Sequence, residues 1–287
     1  MRIGVIGLGR MGLAIAARLH GQGLHPIGFD LDAARRDQAA ALGVEVVTEA
    51  GAAASPAMLL SLPDDAAVGE ALGLLWPMLP PGTLILDTST LDPAAARSFA
   101  GRARTLGHRY LDAPVSGGPA GAAAGTLTFM LGGDAAGVEE ARPILSALAG
   151  RVLHVGASGA GQVAKLVNNL LVATHLVAAA EAFRLGAAAG VAPDALVPVV
   201  NAASGRSAAT EVNLPRWILS GTFDSGFGAG LMRKDVRLAL GLAASSGVPL
   251  DTCARAAAAW EGAGVPDDAD FNKVPASLLA GTEGNGR

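Results

Sequence analysis

The chain has 287 residues, enough for one large domain or two of medium size. Its formal net charge is −4, and its acidic and basic residues are spread along the chain. Because no run of basic residues could follow a phosphate backbone, nucleic-acid binding is not expected. The single cysteine, Cys253, excludes an intrachain disulfide and a metal cluster built from cysteines, and the five histidines lack metal-ligand spacing, so we expect no bound metal.

In the first half of the chain, short apolar runs alternate with alanine-rich segments. Continuous apolar strands with helices between them are typical of a parallel sheet that is covered on both faces. From about residue 160 this alternation ends and helical periodicity replaces it. The segments that we interpret as strands are RIGVIG, HPIGFD, VEVV, AMLLSLP, TLILDTS, HRYLDAPV, LTFMLGG and RVLHVG, and the later helices are 161–190, 193–203, 231–247 and 251–263.

We therefore predict two domains, an α/β domain over residues 1–160 and an all-helical domain over residues 161–287. Residues 280–287 show no apolar periodicity, and we expect them to be frayed. The segment LVNNLLVATHLVAAAEAF is apolar, but Asn168, His175 and Glu181 interrupt it, which favours a buried helix over a membrane span. No signal peptide precedes the first predicted strand, so a cytoplasmic location is expected.

The motif GLGRMG directly follows the first predicted strand and begins a helix. Its glycines suit a tight turn, a close approach to a pyrophosphate and close helix packing, while the helix N-terminus supplies N–H donors. Asp30 ends the second predicted strand, where a carboxylate binds both ribose hydroxyls and repels a 2′-phosphate. We predict a Rossmann-like, doubly wound sheet that prefers NAD over NADP, although Arg35 and Arg36 would soften the preference. The predicted contacts are Gly7, Leu8, Gly9, Arg10, Met11, Gly12 and Asp30.

Lysine is rare in this chain, because only three of the 21 basic side chains are lysines. In the segment GAGQVAKLVNNL, Lys165 and Asn169 are four residues apart and project from one face of a predicted helix. Gly161, one turn earlier, would leave room there for a ligand. An ammonium half buried among Val163, Leu166 and Val167 would have a lowered pKa, which suits a proton donor and acceptor; arginine would not lose its proton. Alternatively, Lys165 extends to the surface from a buried helix.

GLGRMG, DAPVSGG and GAGQVAKLVNNL, with MRKD at 232–235, resemble in order and spacing the motifs of the β-hydroxyacid dehydrogenase family. The likeness extends over roughly residues 2–272. It implies a Rossmann-like domain followed by a helical domain, and oxidation of small 3-hydroxy acids, or reduction of the matching semialdehydes, with NAD or NADP. It also implies a homodimer or homotetramer. The segments NAASGRS and TFDSGF favour a substrate of the 3-hydroxyisobutyrate type.

The resemblance assigns roles to the matching positions. Lys165 would be the acid/base, taking the hydroxyl proton as the hydride leaves, and Asn169 would hold the substrate and orient the lysine. A strand end that turns through two glycines exposes successive amides, which suits an anion. The substrate carboxylate would therefore bind Ser116, Gly117 and Gly118. The positions placed at the cofactor are Leu62, Pro63, Ser89, Thr90, Phe227 and Lys234, the last paired with Asp235.

Structural alternatives remain open for several of these positions. Asp30 could be a solvated strand end, and Ser116–Gly118 an ordinary turn. Arg206 could bind a substrate acid group or lie on the surface. The alternatives for the remaining positions are helix caps at Ser89, Thr90 and Asp235 and a core position at Phe227.

Two other classes of protein share part of this pattern. Imine reductases have the same two-domain layout, but they typically carry an acid or tyrosine in place of the lysine and mostly prefer NADP, so Lys165 and Asp30 argue against them. A non-catalytic NAD-binding scaffold would be favoured if the lysine or the Ser-Gly-Gly segment were missing, and both are present.

Overall fold

The structure is a computed structural model that describes residues 1–281, so most of the tail expected to fray lies outside the described residues. The chain divides into two compact units, Met1–Lys165 and Leu166–Arg287. The first unit contains the strands, all in one sheet. They are β1 (Arg2–Ile6), β2 (His25–Phe29), β3 (Glu45–Val46), β4 (Ala57–Leu60), β5 (Leu84–Asp87), β6 (Arg109–Asp112), β7 (Val115–Ser116), β8 (Leu127–Gly132) and β9 (Ala149–Gly156).

Helices connect these strands and make up most of the second unit. A 3₁₀ helix, Ala50–Ala53, precedes β4, and a π-helix, Ala209–Ile218, lies in the second unit. The α-helices are α1 (Arg10–Gly21), α2 (Ala33–Ala41), α3 (Asp65–Leu75), α4 (Pro93–Thr105), α5 (Gly118–Ala124), α6 (Ala135–Glu140), α7 (Arg142–Leu148), α8 (Ala160–Ala188), α9 (Pro193–Ala202), α10 (Ala229–Ser245), α11 (Asp251–Gly262) and α12 (Lys273–Ala280).

Six strands form a parallel sheet in the order β3-β2-β1-β4-β5-β6. This is the strand order of a Rossmann domain, with the ligand-binding loops expected at the carboxyl ends of the strands. The sheet is parallel, as expected, as far as β6; beyond it, β8 pairs antiparallel with both β6 and β7. The chain between Ser116 and Leu127 holds little more than the short helix α5, whereas a parallel crossover needs a dozen or more residues.

Both faces of the parallel sheet are buried, which explains the continuous apolar runs in the sequence. Leu59 and Leu86 point into one core, and Met58 and Ile85 point into the core on the opposite face. Side chains of a strand alternate between faces, so a sheet that is covered on both sides needs apolar residues at every position. The fold class predicted from the sequence, a Rossmann-like domain followed by a helical domain, is confirmed.

The second unit is a helical bundle whose core is centred on Trp260 in α11. Trp260 is fully buried, and its Nε1 donates to the carbonyl of Ala173 in α8 at 3.0 Å. Arg233 in α10 is also buried, and its guanidinium donates to the carbonyls of Trp260 at 2.9 Å and Val265 at 2.7 Å. The π-helix and α12 were not predicted, because proline or mixed polar residues interrupt their apolar periodicity.

Helix α8 is long and apolar enough, by length and composition alone, to cross a membrane. Of its most apolar window, 44% is buried inside the protein. Leu176 and Phe183 lie in the core of the helical unit, whereas Val167, Leu171 and Leu185 are exposed on the same helix. The helix therefore has one packed face and one exposed apolar face.

Candidate active site

The loop between β1 and α1 is shaped by close backbone contacts. Gly7 has a φ of 92° and donates its amide to the carbonyl of Phe29 at 2.9 Å. A Cβ on Gly12 would lie 1.9 Å from the carbonyl oxygen of Gly7, so only glycine lets the helix pack this closely. A Cβ on Gly9 would meet only the guanidinium of Arg35, at 3.8 Å. The backbone at Gly9 is therefore open to a ligand, and α1 begins there without a capping side chain, which fits a pyrophosphate.

Asp30 is not a solvated strand end, because its side chain is buried and bonds to the glycine loop. It is only 8% exposed, and its Oδ2 accepts the amide of Leu8 at 2.7 Å. Its Oδ1 accepts the amide of Asp32 at 2.9 Å, and Arg35 Nη1 lies 3.4 Å from Oδ2. The carboxylate is therefore fixed beside the glycine loop. Of the other two residues predicted in this loop, Arg10 is exposed and Met11 is half-buried.

A second polar cluster forms at the carboxyl ends of β4 and β5. Ser89 Oγ accepts the amide of Leu62 at 2.9 Å, which joins two loops that were both predicted to contact the cofactor. Asp87 Oδ1 accepts the amide of Ser89 at 2.9 Å, and Tyr110 donates its hydroxyl to Asp87 Oδ2 at 2.6 Å. Ser89 is thus a buried loop residue and not a helix cap. Thr90 is half-buried in the same loop, and Pro63 is exposed.

This buried cluster changes the titration of its members. Burial raises the pKa of Asp87 to about 6, against smaller lowering effects from its hydrogen bonds to Ser89 and Tyr110. Burial and the neighbouring Asp87 raise the pKa of Tyr110 well above its usual value, so it remains a hydroxyl donor. Burial also raises the pKa of Asp112. The sequence analysis did not identify Asp87 or Asp112 as site residues, although each is the last residue of a buried strand.

The segment Ser116-Gly117-Gly118 joins β7 to α5. Gly117 has a φ of 124° and Gly118 a φ of 65°, a left-handed pair that other residues adopt only with strain. Ser116 is half-buried, and Gly117 is exposed. The turn therefore presents backbone amides and a hydroxyl at an accessible position.

Lys165 lies in the second turn of α8, whose start is fixed by Asp112. The carboxylate of Asp112 accepts the amides of Gly159 at 2.7 Å and Gln162 at 3.1 Å. Lys165 is 9% exposed, so it is buried more deeply than the half-buried position expected, even though Val167 is exposed. The role expected for Gly161 was wrong: a Cβ there would lie 2.3 Å from the carbonyl of Met130, so this glycine permits helix–strand packing instead of leaving room for a ligand.

In the second unit, Asn169 in α8 is held by the carboxylate of Asp235 in α10. Asn169 Nδ2 donates to Asp235 Oδ2 at 2.6 Å, and its Oδ1 accepts Asn168 Nδ2 at 3.0 Å. Asn169 and Asp235 are 3% and 2% exposed. Lys234 Nζ lies 3.3 Å from Asp235 Oδ1. Asp235 is inside α10 and is therefore not a helix cap.

The remaining two predicted residues of the second unit have less distinctive environments. Phe227 is half-buried and packs edge-on against Phe271, with ring centroids 5.4 Å apart, as a core residue would. Arg206 is exposed between α9 and the π-helix. Within residues 1–281, no group of three histidine, cysteine or acidic side chains is placed to hold a metal ion.

Comparisons with known proteins identify the chemistry that such a site serves. Residues 2–156 match the family model of the NAD binding domain of 6-phosphogluconate dehydrogenase. Residues 159–276 match that of the NAD-binding domain of NADP-dependent 3-hydroxyisobutyrate dehydrogenase. The protein is an oxidoreductase that uses a nicotinamide cofactor.

Three relatives narrow this class. The 2-(hydroxymethyl)glutarate dehydrogenase of Eubacterium barkeri is 38% identical over 91% of this chain and 89% of its own. The NAD-dependent L-serine dehydrogenase of Pseudomonas aeruginosa is 39% identical over 88% of this chain and 89% of its own. The solved Mycobacterium tuberculosis 3-hydroxyisobutyrate dehydrogenase with L-serine superposes with a TM-score of 0.90 at 36% identity, covering 96% of this chain and 98% of that one. The chain belongs to the β-hydroxyacid dehydrogenase family, which confirms the resemblance seen in its motifs.

A Streptomyces aurantiacus imine reductase also superposes, with a TM-score of 0.68 at 20% identity over 96% of this chain and 99% of that one. That likeness shows a shared fold alone. The dehydrogenase relatives, which are 36–39% identical over most of the chain, show that the protein is an enzyme that acts on small hydroxy acids.

Proposed function

We propose that the protein transfers a hydride between NAD and a small 3-hydroxy acid, with Lys165 as the general acid/base. The observation that supports this most directly is the burial of Lys165 and Asn169, which are 9% and 3% exposed on successive turns of α8. Burying an amine costs free energy, so buried ionisable groups are found mostly at sites where they have a role. A proton-transfer lysine has such a role.

In this proposal each group of the chain has a separate task. The amides and hydroxyl of Ser116–Gly118 bind the substrate carboxylate and so fix the position of the reacting carbon. Lys165 Nζ takes the proton from the substrate hydroxyl during oxidation and returns it during reduction. The hydrogen bond to Asp235 keeps the amide of Asn169 in one orientation, so that it can hold the substrate oxygen. When bound, the nicotinamide supplies the hydride acceptor.

We further propose that NAD is preferred over NADP. The GLGRMG loop and Asp30 would hold the adenosine half, and Leu62, Pro63 and Thr90 would contact the nicotinamide half. Phe227 and Lys234 are the remaining proposed cofactor contacts. A fixed carboxylate at Asp30 suits ribose hydroxyls and repels a 2′-phosphate. Arg35, whose guanidinium lies near both Asp30 and Gly9, weakens that repulsion.

The cofactor preference can be measured as a ratio of kcat/KM values for NAD and NADP. We expect D30G to raise the NADP to NAD ratio by about tenfold, because the lost charge repulsion is worth about 1.4 kcal/mol, which corresponds to a factor of ten. R35A should lower the same ratio. An unchanged ratio in D30G would show that Asp30 does not select the cofactor.

The names of the relatives suggest a shared substrate group. L-serine, 3-hydroxyisobutyrate and 2-(hydroxymethyl)glutarate all contain HOCH₂–CHR–COO⁻, and they differ only in R. We propose this group as the substrate class, with a small apolar R of the 3-hydroxyisobutyrate type favoured. In such a molecule, Ser116–Gly118 would bind the carboxylate, and Lys165 would take the proton of the hydroxymethyl group.

The test is an absorbance assay for NADH with a panel of these hydroxy acids. We expect Lys165→Ala to lower kcat by about 10²–10⁴, the usual contribution of a general acid/base, while the affinity for NADH stays unchanged. Lys273→Ala removes another lysine, an exposed one, and serves as the matched control. If K165A and K273A turn over alike, the role of Lys165 is wrong.

We also propose that the protein is a cytoplasmic homodimer or homotetramer. The exposed face of α8 carries an apolar stripe of Val167, Leu171, Ala178, Ala182 and Leu185, which recurs at helical spacing and suits a second copy of the same helix. Light scattering after size exclusion should show a smaller species for the double variant L171E/L185E. L74E, at an exposed leucine of α3, should leave the assembly intact.

A further inference from the structure

Gln162, a residue without an assigned role, links the loop of Ser89 and Thr90 to the helix that carries Lys165. Gln162 is completely buried in the first turn of α8. Its Oε1 accepts the amide of Leu91 at 3.0 Å, and its Nε2 donates to the carbonyl of Ser89 at 2.9 Å. One side-chain amide thus holds the backbone on both sides of Thr90.

The same residue is fixed at its own backbone. The amide of Gln162 donates to Asp112, which also accepts the amide of Gly159 and so anchors the start of α8. Lys165 is three residues further along this helix, nearly one turn, and projects from a neighbouring part of the same face. Because Ser89 also accepts the amide of Leu62, the Gln162 amide connects the helix to two loops at the carboxyl edge of the sheet.

We propose that Gln162 is a positioning residue that sets the distance and direction between the amine of Lys165 and the nicotinamide-side loop at Ser89 and Thr90. The proposal rests on the function proposed for Lys165 and Thr90. Hydride and proton transfer both require their donors and acceptors within a few tenths of an ångström of a productive arrangement, and a displacement of about 1 Å costs roughly 10²-fold in rate. A primary amide suits this task because it offers a donor and an acceptor at once, without a charge.

Two substitutions separate this role from simple packing. Gln162→Met keeps the length of the side chain but removes both hydrogen bonds. Gln162→Glu is nearly isosteric: protonated, it keeps the acceptor for Leu91 and the donor for Ser89, whereas ionised it places a carboxylate against the Ser89 carbonyl. Gln38→Glu, at an exposed position of α2, adds the same charge elsewhere and is the control.

The first readout is amide hydrogen exchange in the protein without cofactor or substrate. We expect the amide of Leu91 to exchange at least about tenfold faster in Q162M than in the wild type, since it loses its acceptor. In Q162E the amide of Leu91 should stay protected at every pH, because the protonated carboxyl and the carboxylate both accept its hydrogen bond. Unchanged protection of Leu91 in Q162M would overturn the proposal, whatever the enzyme's activity.

The second readout is kcat as a function of pH. We expect Q162M to lower kcat about 10–100-fold at every pH, with the NADH dissociation constant changed by less than about threefold. Q162E should match the wild type at acidic pH and fall towards Q162M as pH rises, whereas Q38E follows the wild type throughout. Asp87 and Asp112 titrate in all four proteins, so the difference between Q162E and Q38E reports the new carboxyl together with its effect on the neighbouring Asp112.

The outcomes distinguish this proposal from the proposed function. If the wild type oxidises none of the hydroxy acids, the proposed function fails, and the exchange experiment still decides whether Gln162 holds the loop. If the wild type is active and K165A is not, but Q162M keeps its kcat, the positioning role alone is wrong. If neither Gln162 variant folds, Gln162 is a determinant of stability, which also overturns the proposal.

Discussion

The two units hold their candidate site residues by different means. In the first unit the GLGRMG loop is shaped by backbone contacts, such as the approach of Gly12 to the carbonyl of Gly7. In the second unit Asn169 and Asp235 are held by a side-chain hydrogen bond between two helices. Backbone contacts leave a recognisable motif in the sequence, whereas a hydrogen bond between helices leaves only two polar residues far apart in the chain. For this reason the glycine loop can be identified from the sequence alone.

The largest effect is expected from Gly12→Ala, which tests the backbone half of this comparison. A Cβ placed 1.9 Å from a carbonyl oxygen forces α1 away from β1, at a cost of about 3–5 kcal/mol, and should abolish NADH binding. Gly21→Ala, on the same helix with no atom within 4 Å of the added carbon, is the control and should be neutral or stabilising. Both are measured by urea unfolding and NADH fluorescence. Equal losses in the two variants would contradict the steric argument.

The next effect concerns the buried acid of the first unit. Because the folded pKa of Asp87 is raised to about 6, the folded state binds its proton more tightly than the unfolded chain does. Protonated Asp87 therefore contributes its full stabilisation below about pH 4. As pH rises from about 4 to about 6, the free energy of unfolding falls by about 3 kcal/mol, and above about pH 6 this residue causes no further change.

Asp87→Asn should lack this decline, so it should gain up to about 3 kcal/mol relative to the wild type between pH 4 and pH 6.5. Urea unfolding across this range measures the difference. Asp37→Asn, at an exposed position of α2, should follow the wild type. Parallel curves for D87N and the wild type would show that Asp87 is already ionised when buried.

A smaller effect tests the side-chain half of the comparison. Asn169→Leu leaves the buried carboxylate of Asp235 without one of its donors and should cost about 2 kcal/mol of stability. Asn168→Leu, at the half-buried neighbour, should cost less than about 1 kcal/mol. In a double-mutant cycle, N169L and D235L should be less than additive. Strict additivity would mean that the two side chains do not stabilise each other.

The smallest effect is expected at Arg206, which lies exposed on the second unit. Arg206→Ala should change the free energy of unfolding by no more than about 0.5 kcal/mol, as for most surface substitutions. The KM for the hydroxy acid should change by no more than about twofold. A rise in KM of tenfold or more, with kcat unchanged, would instead make this guanidinium a ligand of the substrate.

Much of the fold could be predicted from the sequence, because its signals are local. The alternation of strands and helices, the glycine motif and the acid at the end of β2 each lie within a few residues of one another. The antiparallel turn at β8 was missed, since it depends on how few residues connect Ser116 to Leu127. The π-helix was missed because Pro215 interrupts its periodicity.

The candidate site could be predicted in part. Lys165 and Asn169 stood out by residue type and spacing, but the acids that support the site did not. Asp87 accepts a hydrogen bond from Tyr110, 23 positions later, and Asp112 accepts from residues 47 and 50 positions later. Gln162 bonds to residues 71 and 73 positions earlier in the chain. Such long-range hydrogen bonds have no sequence pattern. The error at Gly161 has the same origin, since the atom that demands a glycine belongs to β8.

Because lysine is scarce and Lys165 is buried, covalent labelling of amines can measure the accessibility of this single side chain. Amine-reactive reagents can modify only three side chains, and each has a different accessibility: Lys273 is exposed, Lys234 is partly covered and Lys165 is buried. Mass spectrometry of a reductive methylation time course would therefore resolve three lysine rates, besides that of the N-terminal amine. The slowest of these would report directly on access of the reagent to Lys165.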